Sequence, residues 1–259
     1  MANIQWPEPL VVEPTGHHTH TLILLHGRGS NGERFGLELL QSRTTAGQTL
    51  AEHFPGLKFV FPTARKNRAV MFNRSMVNQW FHDYLQDGPR DTIYDGLEKT
   101  TEFIHRLIHD EAHIIGTSRI VIGGLSQGCA MSLHVLLNWQ SNEPLLGYVG
   151  MSGYLPLASI LDECFTEDGR GLVDAARDFA SLPTHEWADS EGPTFTRTPM
   201  LLGHGVHDDR VSILLGREAK ALFDRAGCDI QWKEYDEGHW YKVPDQLNDI
   251  VSWLQRVML

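Results

Sequence analysis

The stretch VIGGLSQGCAMSLHVLL, residues 121–137, joins two different sequence patterns. Its first residues are apolar and rich in β-branched side chains, as in a strand, whereas the residues after Gly128 are typical of a helix. Between the two patterns, Gly124 and Gly128 flank Ser126. Packing alone does not require two glycines around one serine, so this turn indicates a chemical role as well as a strand-to-helix connection.

Strand and helix patterns alternate along the rest of the chain. Near-continuous apolar runs, which are typical of strands covered on both faces, predict strands at six places. These runs cover residues 21–25, 57–61, 119–123, 145–151, 199–203 and 229–235. Helical spacing predicts helices over 91–110 (with Asp91 as N-cap), 127–140, 213–226 and 242–257. The alternation predicts an α/β fold with a mostly parallel sheet flanked by helices.

The composition limits the domain count and the partners. The 259 residues contain no repeat or linker that divides them, so we predict a single domain over 1–259. The formal net charge of −11 at pH 7 disfavours nucleic acid or an anionic membrane surface as the main partner. No run approaches the roughly 18 apolar residues of a spanning helix, which predicts no stable membrane insertion.

The cysteines and the N-terminal residues bear on the compartment. Three cysteines cannot all pair with one another, and none has a Cys-x-x-Cys spacing, which favours a reduced environment. The first residues lack the basic start and apolar core of a signal peptide. We therefore predict a cytoplasmic protein. The sequence leaves its oligomeric state open.

Gly-x-Ser-x-Gly between a strand and a helix is typical of a nucleophile elbow. Such a turn presents the serine, here Ser126, on a strained backbone, and the following helix directs its first N–H groups at developing negative charge. The alternative interpretation is a glycine-rich turn without chemical meaning. Ser126 is thus the candidate nucleophile.

A serine nucleophile needs a base, and the base needs an acid that orients it. Asp208 and Asp209 follow the predicted strand at 199–203, and His239 follows the last predicted strand. Since ligands bind beyond the carboxyl ends of parallel strands, we expect these side chains to meet Ser126 there. Spacing alone does not separate Asp208 from Asp209. His204 and His207 also stand nearby, but their spacing matches no familiar ligand pattern, and we predict no metal.

The segment LLHGRGSNG, residues 24–32, follows the first predicted strand. Its glycines allow the backbone to approach a substrate carbonyl closely. The backbone N–H groups of Arg28 and Gln127 are therefore candidate oxyanion donors, each typically worth about 10²- to 10³-fold in turnover. The alternative is an ordinary glycine-rich turn.

Several segments together resemble the phospholipase/carboxylesterase family, which includes the acyl-protein thioesterases. LLHGRGSNG is similar to that family's Leu-His-Gly-x-Gly segment, and residues 61–81 to its Phe-Pro-x-Ala loop ending in Met-x-x-Trp-Phe. GGLSQGCAMSL resembles its serine elbow, and MSGYLP (151–156) its Ser-Gly-x-Leu-Pro turn. HGVHDDRV (204–211) and YDEGHW (235–240) resemble the segments that carry its acid and its histidine.

The resemblance implies an α/β-hydrolase fold and a metal-free serine hydrolase of esters or thioesters that needs no cofactor. It favours Asp208 over Asp209 and supports Arg28 and Gln127 as oxyanion donors. The candidate substrate-binding residues stand in the same segments: Trp80, Phe81, Leu155 and Trp240.

Residues 157–198 form a segment that is longer than in typical members of the family. Apolar side chains are scattered through it among many charged residues. We hypothesise a small cap-like insertion over the elbow that shapes the substrate pocket. The alternative is a surface excursion that packs away from the site.

These features together predict a serine hydrolase that cleaves its substrate through an acyl-enzyme. The longer segment and the cation of Arg28 favour a carboxylesterase of small or medium acyl substrates. An acyl-protein thioesterase or lysophospholipase is the alternative within the same chemistry. A non-catalytic ligand-binding protein on the same fold is the alternative from another class.

Overall fold

The computed structural model of the chain describes residues 5–69, 74–82, 96–183 and 192–259. Nine strands lie in this part of the chain: β1 Leu10–Val12, β2 His20–Leu25, β3 Leu57–Phe61, β4 Lys66–Ala69, β5 Ser75–Asn78, β6 Ile120–Leu125, β7 Gly147–Met151, β8 Met200–Gly205 and β9 Ile230–Tyr235. Eight α-helices accompany them: α1 Gly32–Gln41, α2 Leu50–His53, α3 Leu97–Ile115, α4 Gln127–Leu137, α5 Ala158–Glu163, α6 Arg170–Phe179, α7 Ile213–Arg225 and α8 Asp245–Val257.

Seven of the strands form one sheet in the order β1-β3-β2-β6-β7-β8-β9. Every neighbouring pair in it is parallel except β1 and β3, which run antiparallel. Strands β4 and β5 pair with each other as an antiparallel hairpin outside this sheet. The predicted mostly parallel sheet flanked by helices is therefore confirmed.

All six predicted strands are present, with ends displaced by at most two residues. The prediction missed β1, which has three residues at the sheet edge, and the hairpin, whose first strand reads Lys-Asn-Arg-Ala. Strand β9 also differs from the expectation of burial on both faces, since most of its residues are only half-buried or exposed. Among the described strands it lies at the edge of the sheet, beside β8 alone.

The predicted helices at 91–110, 127–140, 213–226 and 242–257 correspond to α3, α4, α7 and α8. Asp91, the predicted N-cap of the first, lies outside the described residues. The described helix α3 begins at Leu97 and continues to Ile115, where Gly116 follows with a φ of 91°. That φ favours glycine, so the helix ends there rather than at residue 110. The helices α1, α2, α5 and α6 were not predicted.

The core lies on both faces of the sheet. In β2, Leu22 and Leu24 face the layer that contains α1 and α8, whereas Ile23 and Leu25 face the layer of α3, α4, α6 and α7. Successive side chains of a strand point to opposite faces, so a central strand with helices on both sides is apolar throughout. No helix within the described ranges is long and apolar enough to cross a membrane.

The described part of the 157–198 segment contains α5 and α6. Helix α6 packs against α4, and α5 packs beside α7, where Asp162 pairs with Arg225 at 2.8 Å. Thr194 donates a hydrogen bond of 3.2 Å to the carbonyl of Trp139, beyond the end of α4 that is remote from Ser126. Residues 184–191 lie outside the described residues, and the cap over the elbow stays a prediction.

Candidate active site

The candidate nucleophile, base and acid each follow a strand of the large sheet at its carboxyl end. Ser126 directly follows β6, and its Oγ lies 2.8 Å from Nε2 of His239, in the loop after β9. Nδ1 of His239 lies 2.7 Å from Oδ2 and 2.9 Å from Oδ1 of Asp208, in the loop after β8. The structure thus joins the three side chains in one continuous chain of hydrogen bonds.

The backbone of Ser126 adopts φ 57° and ψ −122°, which is strained for a residue with a side chain. Two close approaches explain the glycines around it. A methyl group at Gly128 would lie 2.1 Å from the carbonyl oxygen of Leu25, and one at Gly124 would lie 2.5 Å from the carbonyl carbon of Gly128. Helix α4 therefore packs directly on β2 and β6, and this packing holds the turn.

The carboxylate of Asp208 is buried, with its side chain 0% exposed. Its Oδ1 accepts the backbone N–H of Arg210 at 2.9 Å and that of Val211 at 2.8 Å. These bonds fix the carboxylate plane relative to His239. Asp209, which spacing alone left as an alternative, is exposed, so the geometry agrees with the choice of Asp208.

The loop after β2 lies against the serine. A methyl group at Gly27 would lie 3.4 Å from Cβ of Ser126. The N–H of Ser30 donates to the carbonyl of Gly27 at 3.1 Å, and Gly29 adopts φ 82°. This is a turn with Arg28 at its second position. The first residue of α4 is Gln127, and the first N–H groups of a helix have no acceptor within the helix. Gln127 thus directly follows Ser126, and Arg28 follows Gly27, which lies against Ser126; their roles as oxyanion donors stay predictions.

The side chain of Gln127 has a further role that sequence reasoning missed. It is 2% exposed; its Oε1 accepts the backbone N–H of Trp80 at 3.1 Å, and its Nε2 donates to the carbonyl of Phe81 at 2.9 Å. The indole Nε1 of Trp80 in turn donates to the carbonyl of His26 at 2.7 Å. Gln127 thus links the elbow to the loop after β2 through the 79–82 segment.

His26 is the second residue that sequence reasoning missed. Its Nε2 accepts the backbone N–H of Ala64 at 3.0 Å, so its Nδ1 carries the proton and donates to the carbonyl of Gly27 at 2.7 Å. Burial is the main cause that lowers the pKa of His26 to about 4. The ring is therefore neutral at pH 7 and braces the turn that contains Arg28. The segment LLHG offered the signal, since this histidine directly precedes the turn.

The four candidate substrate-binding residues differ in exposure. Trp80 and Phe81 are 1% exposed, Leu155 is 3% exposed and Trp240 is 36% exposed. The carbonyl of Trp240 accepts the hydroxyl of Ser152 at 3.2 Å, which ties the residue after His239 to the end of β7. Contact of these residues with a substrate stays a prediction.

The two other histidines near Asp208 have separate surroundings. His207 is exposed and contacts the exposed Asp236 at 2.8 Å, whereas His204 is buried beside Asp208. Within the ranges that the structure describes, no group of three or more His, Cys, Asp or Glu side chains is arranged to hold a metal ion.

Comparison with known proteins agrees with this architecture. Acyl-protein thioesterase 1 of Gibberella zeae is 27% identical over 256 residues, which cover 96% of this chain and 94% of the relative. Lysophospholipase-like protein 1 of Mus musculus is 29% identical over 181 residues, 68% of this chain and 73% of the relative. The crystal structure of Zea mays acyl-protein thioesterase 2 covers 98% of this chain with a TM-score of 0.71 at 24% identity, and 100% of that chain is covered.

The model of the Phospholipase/Carboxylesterase family matches residues 7–172, more than half of the chain. The match confirms the resemblance inferred from the elbow and its neighbouring segments. The protein belongs to the phospholipase/carboxylesterase family, and it is a serine esterase or thioesterase with the α/β-hydrolase fold.

Proposed function

We propose that the chain hydrolyses carboxylic esters or thioesters through an acyl-enzyme formed on Ser126. One observation supports this most: the unbroken hydrogen-bond chain from the hydroxyl of Ser126 through His239 to the buried Asp208. A serine hydroxyl becomes nucleophilic when a neighbouring base takes its proton, and an imidazole held by a carboxylate is such a base.

In the proposed cycle, Nε2 of His239 takes the proton from Oγ of Ser126 as Oγ attacks the acyl carbonyl carbon. Asp208 holds the proton of His239 on Nδ1 and stabilises the imidazolium that forms. The backbone N–H groups of Arg28 and Gln127 hold the oxyanion. His239 then protonates the leaving alcohol or thiol. Water attacks the acyl-enzyme with His239 as base, and the acid is released.

Two substrate classes fit this chemistry. Relatives named acyl-protein thioesterase, which align over nearly the whole chain, favour acyl thioesters on proteins. The cation of Arg28 beside the oxyanion site favours the second class, carboxylic esters with a small or medium acyl group. Hydrolysis of p-nitrophenyl esters of increasing length, measured beside a palmitoyl-peptide thioester, separates the two classes through their kcat/KM values.

The nucleophile is tested with Ser126→Ala and a matched control, Ser252→Ala, at an exposed position of α8. We expect Ser126→Ala to lower kcat by at least about 10⁴-fold and to abolish fluorophosphonate labelling, since removal of a triad nucleophile leaves only binding and oxyanion stabilisation. The control keeps both. Labelling that persists in Ser126→Ala contradicts the proposal. Tight binding of an ester without release of the alcohol supports the non-catalytic alternative.

A further inference from the structure

His204 is the next-to-last residue of β8, and its side chain is 1% exposed. Its Nε2 lies 2.9 Å from the carbonyl oxygen of Val211 and 3.2 Å from Oδ2 of Asp208. Because a carbonyl oxygen only accepts hydrogen bonds, Nε2 of His204 carries a proton and donates it. One N–H group thus faces two acceptors on the loop that contains Asp208.

The ring of His204 is held on its other side as well. A methyl group at Gly216 of α7 would lie 2.6 Å from Nδ1 of His204, so this helix packs directly on the ring. The ring of Trp232 lies 6.2 Å away between centroids. Burial is the largest cause that lowers the pKa of His204, against opposing effects of Val211 and Asp208. His204 is therefore a neutral donor in a fixed orientation.

Two titratable groups interact with this ring besides Asp208. His239 lies in the loop after β9, and Glu234 lies on β9 itself. Both carboxylate oxygens of Glu234 accept hydrogen bonds of 2.8 Å from Arg217 of α7. The charge of Glu234 is thus neutralised by Arg217, and Asp208 is the carboxylate within hydrogen-bond distance of His204.

We propose that His204 is a positioning residue for the reaction, because its N–H holds Oδ2 of Asp208 in plane and takes up part of the carboxylate charge. The inference rests on the proposed function, in which Asp208 orients His239. Oδ2 also accepts the hydrogen bond from Nδ1 of His239 at 2.7 Å. A carboxylate that shares its charge among several donors stabilises the adjacent imidazolium less, so His204 limits how strongly Asp208 acts on His239 in the proposed cycle.

Removal of this N–H has a defined consequence. The charge of Asp208 is then shared with fewer donors and acts more strongly on His239, and the acid limb of the rate profile moves to higher pH by about half to one unit. The carboxylate is also held less tightly, and we expect the maximal rate to fall roughly tenfold because the imidazole is less well oriented.

The test uses three variants of one position in the whole protein. His204→Gln can place an amide N–H where Nε2 lies, whereas the amide of His204→Asn is one bond shorter and His204→Phe has no donor. The second-order rate of fluorophosphonate labelling is measured from pH 5 to 9, together with the melting temperature of each variant. His207→Phe is the matched control, since its exposed ring lies in the loop that contains Asp208 and contacts Asp236 instead.

We expect His204→Gln to keep the acid limb and a rate within about threefold of the starting protein. We expect the limb to move in His204→Phe and His204→Asn. If His204→Phe does not fold, the comparison of the acid limb between His204→Asn and His204→Gln still tests the inference. If His204→Asn has a lower melting temperature but an unchanged acid limb of the rate profile, the role of His204 is purely structural and the inference is overturned. The inference is also overturned if His204→Gln behaves like His204→Asn.

A second measurement needs no variant. The ¹⁵N chemical shifts of His204 in the native protein show which ring nitrogen carries the proton. A proton on Nε2 supports the inference, and a proton on Nδ1 overturns it. Failure of the proposed function looks different, because the native protein would then show no labelling that depends on Ser126.

Discussion

The side chain of Gln127 offers a sharp test of how the elbow is connected to its surroundings. Replacing it with alanine keeps the backbone N–H of residue 127 but removes the two bonds to the N–H of Trp80 and the carbonyl of Phe81. Both partners are buried, with the residues 1% exposed. A buried polar group left without its partner costs about 1–3 kcal/mol, so two of them cost about 2–6 kcal/mol.

That loss is a large share of the roughly 5–15 kcal/mol by which a folded protein is stable. It also reaches the site, because Trp80 holds the carbonyl of His26, next to the turn that contains Arg28. We therefore expect Gln127→Ala to lower both the free energy of unfolding and kcat, the latter by about tenfold or more if the oxyanion donors move.

Urea unfolding followed by circular dichroism gives the free energy, and initial rates on a short p-nitrophenyl ester give kcat. The matched control is Gln41→Ala, at the exposed end of α1, where we expect a change within about 0.5 kcal/mol. A loss below about 1 kcal/mol in Gln127→Ala, with kcat unchanged, would refute the reasoning that these two bonds support the site.

Two further changes test the buried groups. Burial lowers the pKa of His134 from 6.5 to about 3. Between pH 6.5 and 5 only the unfolded chain therefore binds a proton at this imidazole, and about 2 kcal/mol of stability is lost by pH 5. The urea midpoint should fall less between pH 7 and 5 in His134→Gln than in the starting protein, and an equal fall in both would contradict this. Gly128→Ala places a methyl group 2.1 Å from the carbonyl oxygen of Leu25 and should cost at least about 3 kcal/mol and most of the labelling of Ser126. Gly192→Ala is its control, since among the described residues the nearest atom to the added methyl group is a carbonyl oxygen at 3.8 Å. Equal stability of the two variants would show that α4 moves at no cost.

The sequence by itself determined the class of fold and the order of the candidate catalytic residues along the chain. The apolar runs of the strands and the helical spacing between them are local patterns of the sequence. Because the two patterns alternate, they predict a parallel sheet. Ser126, His239 and the Asp208/Asp209 pair became candidates because each follows a predicted strand, and the family resemblance favoured Asp208. The short strand β1 and the polar strand β4 were not predicted, because three residues at a sheet edge and the run Lys-Asn-Arg-Ala have no apolar pattern.

Only the tertiary structure decided which distant groups share hydrogen bonds. Gln127 and Trp80 are separated by 47 residues, and His26 and Ala64 by 38, and no local pattern predicts that they touch. The choice of Asp208 over the exposed Asp209 was favoured by the family resemblance, but the contact itself needed the fold. The physical reason is that periodicity reports which face a residue occupies, whereas a hydrogen bond depends on distances of about 3 Å that arise when whole layers pack.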